Sequence, residues 1–282
     1  MRVLPDLLPV PESRAAPARG LSPLIRGSLW LHGATALALL VRPRLWPWGV
    51  GALLADHLVL TAAGLLPRSA LLGSNWTHLP QGSAVREIAV TIDDGPDPEV
   101  TPRVLDLLDA RAARATFFCV GERVRRHPQL SCDIVRRGHA VENHTERHLH
   151  RFALLGPTGM AAEIQRAQEA IATVTGQVPR FFRAPAGLRN PFLQSILARA
   201  HLQLVSWTRR GFDTVSADPG AVLRRLTTPL GSGDILLLHD GHAARTATGT
   251  PVILEVLPRL LDAITQAGLG TVTLRAAAAR AP

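Results

Sequence analysis

Two adjacent carboxylates, Asp93 and Asp94 in Thr91-Ile92-Asp93-Asp94-Gly95-Pro96, are the first residues of this 282-residue chain whose types suggest chemistry. The apolar run 88–92 reads as a buried strand, and Gly95-Pro96 turns the chain straight after it. Neighbouring Asp side chains point in different directions, so one can bind a metal while the other takes a proton. Alone, such a pair more often caps the following turn. His144-Thr145-Glu146-Arg147-His148 adds imidazoles four apart, which share one face if the segment is helical, a spacing that two ligands of one zinc ion can use. With one of the carboxylates they make a two-His, one-Asp site with open positions for water and substrate, the geometry of a hydrolytic metal centre. His150 breaks that spacing and is a poorer ligand candidate.

Two further pieces stand at strand ends. Arg183 follows Arg180-Phe181-Phe182 and opens Arg183-Ala184-Pro185-Ala186-Gly187. A guanidinium there can hold one of the carboxylates ionised and oriented. The apolar run 234–239 ends in His239, a candidate general acid. Asp213, after a strand candidate that ends at Trp207, can hydrogen-bond that imidazole and raise its pKa.

The elements that must position these residues alternate. Strand candidates fall at 88–92, 115–120, 139–142, 180–183, 202–207, 234–239 and 270–274, with amphipathic segments between them, clearest at 158–174 and 251–267. Thr101 as N-cap and Pro102 in the first turn predict a helix to about residue 111. Strand–helix alternation at this spacing means a parallel sheet, and seven strands suit a barrel one short of the usual eight. The fold class expected is α/β, a distorted (β/α) barrel of about seven strands, preceded by a helical membrane-associated segment.

That segment is read from two apolar runs, 28–41 and 48–66, separated by Arg42-Pro43-Arg44-Leu45-Trp46-Pro47-Trp48, with the Trp and Arg residues that settle at a membrane interface. The second is long enough to span a bilayer, although it carries Asp56-His57 at its middle. A membrane hairpin is preferred to a pair of buried core helices, because neither run has an amphipathic face. Arginines flank both runs on every side, so charge does not decide topology; a true hairpin keeps the catalytic domain on the side of the N-terminus. Around these runs the expected organisation is a disordered leader over 1–27, a linker over 67–86, a catalytic domain over 87–275 and a tail over 276–282. The location expected is a bacterial-type inner (cytoplasmic) membrane, anchored by the two runs.

Composition narrows the partners. All 31 basic residues are Arg, against 22 acidic, for a net charge of +9. A basic surface favours anionic partners such as phospholipid head groups, but Tyr is absent and no basic run interleaves aromatics, so nucleic acid is not expected. Cys119 and Cys132 lack a CxxC partner, which excludes a zinc knuckle and leaves a disulfide between them open.

In order and type these motifs resemble the polysaccharide deacetylase family, the NodB-homology domain of carbohydrate esterase family four, over about residues 86–275. Thr-Phe-Asp-Asp-Gly-Pro stands here with Ile92 for Phe; His-(Ser/Thr)-x-x-His is complete at His144–His148; Leu-x-His is Leu237-Leu238-His239. Arg-x-Pro-x-Gly is Arg183–Gly187 with Ala186 for the customary aromatic, implying a more open cleft, and the Asp-Trp pair stands as Asp213-Thr214. The resemblance implies Asp94, His144 and His148 as metal ligands and Asp93 as base. It further implies Arg183 orienting Asp93, His239 as acid tuned by Asp213, and Pro185, Ala186, Trp207 and Leu237 along the substrate cleft. The expected metal is zinc, with cobalt or nickel compatible. The expected reaction is removal of N-acetyl groups from an N-acetylated glycan. Two alternatives remain: a deacetylase or deformylase of a lipid-linked amino sugar in contact with membrane lipids, and an inactive membrane-tethered glycan-binding module.

Overall fold

In the computed structural model, residues 20–80 and 86–280 are described. Residues 1–19 of the expected leader, 81–85 of the expected linker and 281–282 of the expected tail lie outside them.

The strands are β1 (Glu87–Asp93), β2 (Ala115–Cys119), β3 (Ala140–Asn143), β4 (Phe181–Phe182), β5 (Gln203–Leu204), β6 (Arg209–Arg210), β7 (Ile235–His239) and β8 (Gly270–Thr271). Seven run in the order β5-β4-β3-β2-β1-β7-β6, and β8 pairs with the start of β1. Every pairing is parallel. The result is an α/β half-barrel of parallel strands, in keeping with the distorted barrel expected from strand–helix alternation, with one difference in the count. The last candidate strand, 270–274, contributes only the short β8, and the seventh place on the sheet path goes to β6, which sequence reading left unassigned. β6 is two half-buried arginines, so it lacks the apolar run that marks a strand.

Side chains alternate across the sheet with period two. On β1, Ile88, Val90 and Ile92 join the outer core, while Ala89 faces the inner cluster with Phe118 of β2 and Ile235 of β7. Helices α1 (Pro23–Val41) and α2 (Trp46–Leu65) precede this sheet. After β1 come α3 (Thr101–Asp109), α4 (Gly121–Arg126), α5 (Pro128–Arg136), α6 (Pro157–Thr175), α7 (Leu193–Arg199), α8 (Pro219–Thr227), α9 (Val252–Gln266) and α10 (Leu274–Ala279). Leu105 and Leu108 of α3, Val222 and Leu226 of α8, and Leu257 and Leu260 of α9 close the outer core. Thr101 does not cap α3: its hydroxyl donates to Asp240 at 2.5 Å and accepts from the Asp97 N–H at 2.7 Å. Residues 274–279 of the expected catalytic-domain end and tail are helical, and Leu274 and Ala277 pack on the inner core. Cys119 and Cys132 are both free thiols.

Helix α1 starts five residues before the expected run because Ser22 caps it, accepting from the Ile25 N–H at 3.2 Å, with Pro23 following in the first turn. Both helices are long and apolar enough to cross a membrane, each with mean hydropathy 1.4. The end of α2 docks directly on the barrel. Gly64 accepts from the Arg189 N–H at 3.1 Å, and a Cβ at Gly64 would lie 2.3 Å from the Arg189 carbonyl oxygen, so only glycine fits there. Past it, the Pro67 carbonyl accepts from Asn75 at 3.0 Å and from the Ser206 hydroxyl at 2.6 Å. Trp76 then bridges Val205 in parallel, and His78 bridges Asp234 antiparallel. Part of the 67–86 stretch is thus folded into the seam between the two ends of the sheet, where it covers edges that would otherwise be unpaired.

His139, just before β3, is buried edge-on to Phe117, with its Nδ1 accepting from the Ala115 N–H at 3.3 Å. Burial, helped by Arg114, pushes its pKa from an ordinary 6.5 down to about 4. The fold therefore holds the ring neutral, and the unfolded chain binds the extra proton. Stability from this group is complete above about pH 6.5 and is lost as pH falls towards 4, by roughly 3 kcal/mol. The expected result in urea unfolding is that the stability difference between wild type and His139→Gln shrinks by that order between pH 7 and pH 4. A difference that does not change with pH rejects the assignment.

Candidate active site

Asp93 is the last residue of β1, and the register places it directly beside His239, the last residue of β7. Asp93 Oδ1 accepts from Arg183 Nη1 at 2.6 Å. Arg183 is itself buried: Nη1 also donates to the Thr91 hydroxyl at 2.8 Å, Nη2 to the Ser206 carbonyl at 2.7 Å and Nε to the Val205 carbonyl at 3.3 Å. Its guanidinium lies over the Phe118 ring, 4.2 Å from the centroid. Four of the five N–H groups of this guanidinium are engaged, so its charge is fixed opposite one carboxylate oxygen. Asp213 accepts twice from His239, Oδ1 from ring Nδ1 at 2.8 Å and Oδ2 from the backbone N–H at 2.7 Å. Burial works to lower the His239 pKa, but the Asp213 carboxylate, with Asp93 and Asp94 behind it, outweighs burial and raises it to about 9. Nδ1–H is thereby committed to Asp213, and the other ring nitrogen carries the transferable proton.

Asp94 leaves β1 in the left-handed region, φ 77°, which turns its side chain away from that of Asp93. Gly95 must follow, because a Cβ there would lie 2.5 Å from the buried carboxylate of Asp240. The histidine segment after β3 is not helical, so the condition under which imidazoles four apart share a helix face is not met. The segment is an irregular turn, with Thr145 and His148 both at positive φ. Local hydrogen bonds dictate it: Asn143 Oδ1 accepts from the Thr145 N–H at 2.9 Å, and the Thr145 hydroxyl accepts from the His148 N–H at 3.0 Å. His144 Nδ1 donates to the Arg183 carbonyl at 2.8 Å, which leaves Nε2 as a bare lone pair 3.3 Å from Asp94 Oδ1. His148 Nε2 lies 3.2 Å from the same oxygen. Burial and the neighbouring His144 push the His148 pKa down to about 4, so the ring is neutral at pH 7. Burial alone would raise Asp94, but His144 and His242 hold it well below the usual carboxylate range. Asp94 Oδ1 is buried and accepts no hydrogen bond. Three ligand atoms within 4.8 Å of one another repel unless a cation, a proton or a metal ion, sits among them. The donor set therefore fits a divalent metal ion.

Comparison with known proteins places the chain in a family. The family profile described as polysaccharide deacetylase matches residues 81–205. A peptidoglycan-N-acetylglucosamine deacetylase of Bacillus cereus is 35% identical over 61% of this chain and 81% of its own length. A chitooligosaccharide deacetylase of Bradyrhizobium is 32% identical over 66% of this chain and 88% of its own. The chain belongs to the polysaccharide deacetylase family. Among solved structures, a family 4 carbohydrate esterase from Streptomyces lividans, in complex with acetate, superposes with a TM-score of 0.60 at 32% identity, over 68% of this chain and 92% of that one.

In this polysaccharide deacetylase fold the remaining expected residues take different positions. Pro185 is buried in a 3-10 turn, Pro185–Gly187, while Ala186 at its apex is exposed with φ 53°. Trp207 is buried against that turn, since a Cβ on Gly187 would come within 2.7 Å of its ring, and Arg210 lies 5.4 Å from the Trp207 ring centroid. Leu237 is buried beside Thr91 on the neighbouring strand. One residue was missed by sequence reading. His242 Nδ1 lies 2.9 Å from Asp94 Oδ2, and its other ring nitrogen meets Arg123 at 3.3 Å. It holds the carboxylate oxygen that does not face the two histidines. The available signal was Gly241, where a Cβ would lie 2.6 Å from the Asp94 carbonyl oxygen, so only glycine lets the chain pass this close.

The Asp213–His239 pair yields a pH test that does not depend on turnover. In Asp213→Asn the carboxylate charge that raises His239 is gone, so the ring should titrate at least a unit below the wild-type value of about 9. Following the His239 ring proton by NMR across pH 5–10 measures this, and an unchanged midpoint rejects Asp213 as its cause.

Proposed function

We propose that this chain hydrolyses the N-acetyl group of an N-acetylated glycan, with Asp94, His144 and His148 holding a divalent metal. The observation that carries the reading is the unpartnered Asp94 Oδ1 facing two Nε2 lone pairs, one strand residue away from a carboxylate held by a buried arginine. Zinc suits two imidazoles and a carboxylate, with cobalt or nickel as chemical equivalents. When bound, the ion supplies Lewis-acid polarisation of the acetamide carbonyl and of the attacking water.

The chain's own residues do the rest. Asp93 takes a proton from the attacking water through the oxygen not occupied by Arg183, and Arg183 keeps that carboxylate ionised and in one orientation. The exposed turn at Ala186 is left to meet the developing oxyanion through a backbone N–H. His239, protonated at neutral pH, gives its proton to the departing amine, and Asp213 stabilises the imidazolium before that transfer. Ala186 in place of an aromatic leaves the cleft wall low, which suits a polymer passing across it more than a small sugar enclosed within it.

The relatives' names concern peptidoglycan and chitooligosaccharide, and both favour a polymer or oligomer of N-acetylglucosamine over a lipid-linked sugar as substrate. Retention of every acid, base and ligand residue argues against an inactive glycan-binding module. The seat proposed for the chain is a bacterial-type cytoplasmic membrane. Trp30, Leu40 and Trp48 on or beside the helix pair are each 80% exposed, a density of apolar surface that water disfavours and lipid accepts.

The test uses the full chain in detergent with zinc, following acetate released from N-acetylglucosamine oligomers and from peptidoglycan. Wild type should release acetate, chelation should stop it, and Asp93→Asn should lower kcat by about 100-fold or more while zinc uptake is unchanged. Equal rates in wild type and Asp93→Asn reject the base. A protein that takes up zinc at this site yet releases no acetate from either substrate rejects the acetylated-polymer reading.

A further inference from the structure

The helix pair carries a polar cluster that the deacetylase chemistry leaves unused. His32 on α1 and Asp56 and His57 on α2 lie midway along helices that are otherwise apolar, and one ligand atom from each falls within 4.8 Å of the others. The two rings meet edge-on, 5.3 Å between centroids. Each imidazole has its Nδ1 on the carbonyl one turn earlier, His32 on Ser28 and His57 on Leu53, both at 2.8 Å. For His57 this commitment leaves Nε2 as the lone pair, as it does for His144, whereas the nitrogen of His32 that faces Asp56 is Nδ1 itself, 3.9 Å from Oδ2. Ser28 donates to Asp56 Oδ2 at 2.7 Å, steadying the carboxylate in the way outer-shell donors steady a ligand. Asp56 forms no ion pair with an arginine among the described residues; its one charged-type neighbour is His32 at 3.9 Å. A carboxylate among apolar helices is costly without a counter-charge, and none of the local side chains supplies a permanent one.

We propose that His32, Asp56 and His57 form a second metal site, distinct from the Asp94 site, which binds a divalent first-row transition ion of the zinc class and clips α1 to α2. Two imidazole nitrogens and one carboxylate oxygen select zinc, cobalt or nickel over calcium or magnesium, which prefer all-oxygen shells. The ligands come from both helices, so ion binding joins them across the pair. His57 is exposed, so the protein leaves one side of the site open to a further donor.

The experiment titrates zinc into the full chain, stripped with chelator and held in detergent micelles, and counts tightly bound metal by mass spectrometry. Alongside wild type run His32→Gln/His57→Gln, Asp56→Asn and, for the barrel site, His144→Gln/His148→Gln. The expected result is one zinc fewer than wild type in His32→Gln/His57→Gln, an affinity at the helix site at least tenfold weaker in Asp56→Asn, and a separate loss of one zinc in His144→Gln/His148→Gln. The zinc retained by the barrel shows that the helix variants are folded, and Asp56→Asn keeps the side-chain volume and an acceptor for Ser28. Equal zinc counts in wild type and His32→Gln/His57→Gln overturn the proposal. Because each pair of histidines is varied separately, failure at the helices and failure at the barrel give different patterns.

Discussion

A single buried guanidinium organises this site. Arg183 reaches Thr91 and Asp93 on β1 and the carbonyls of Val205 and Ser206 beyond β5, and it stacks on Phe118 of β2. Its own backbone is used as well: its N–H donates to Asn143 at the end of β3, and its carbonyl receives His144. One residue thus fixes a carboxylate by charge and an imidazole tautomer by hydrogen bond, on two different strands. A buried charge is tolerated only with its partner present, and removing one member of such a pair costs on the order of 3–5 kcal/mol. Arg183 and Asp93 are therefore bound together by stability as much as by chemistry.

Around that pair the parallel sheet does simple work. Matching registers bring Asp93 and His239 side by side, and period-two alternation puts the apolar residues of β1 under the helices while the polar ones line the interior. Left-handed backbone at Asp94, Thr145, His148 and Ala186 then points neighbouring side chains in directions a strand cannot supply. Non-glycine residues in that region concentrate at the site, where the surrounding hydrogen bonds hold them against their intrinsic cost.

Much of this was legible from residue types. Apolar runs ending in Asp93, Arg183 and His239 announced strand ends, and an α/β alternation told where those ends must gather. What was not legible depended on contacts made far away in sequence. The His144–His148 spacing would share a face on a helix, but Thr145 and Asn143 capture the backbone and fold it into a turn. Thr101 looked like an N-cap and instead bonds Asp240, a residue 139 positions away. β6 has no apolar signature, because two arginines form it. His242 carries no motif around it, and only the close passage at Gly241 explains why it reaches Asp94.

The junction between α2 and the barrel has a spatial consequence. Gly64 abuts Arg189, and Pro67 bonds Ser206 and lies against Gly187, in the turn that forms the cleft wall. No slack chain separates the last helical turn from the catalytic rim. With the helices seated in a bilayer, as proposed above, the cleft cannot swing on a leash through a volume of cell wall. It stays at one height and one tilt, like a blade set in a plane, and works only on strands that come down to it. Which sugars are modified would then be decided by how far they lie from the lipid, before any pocket has tested their shape.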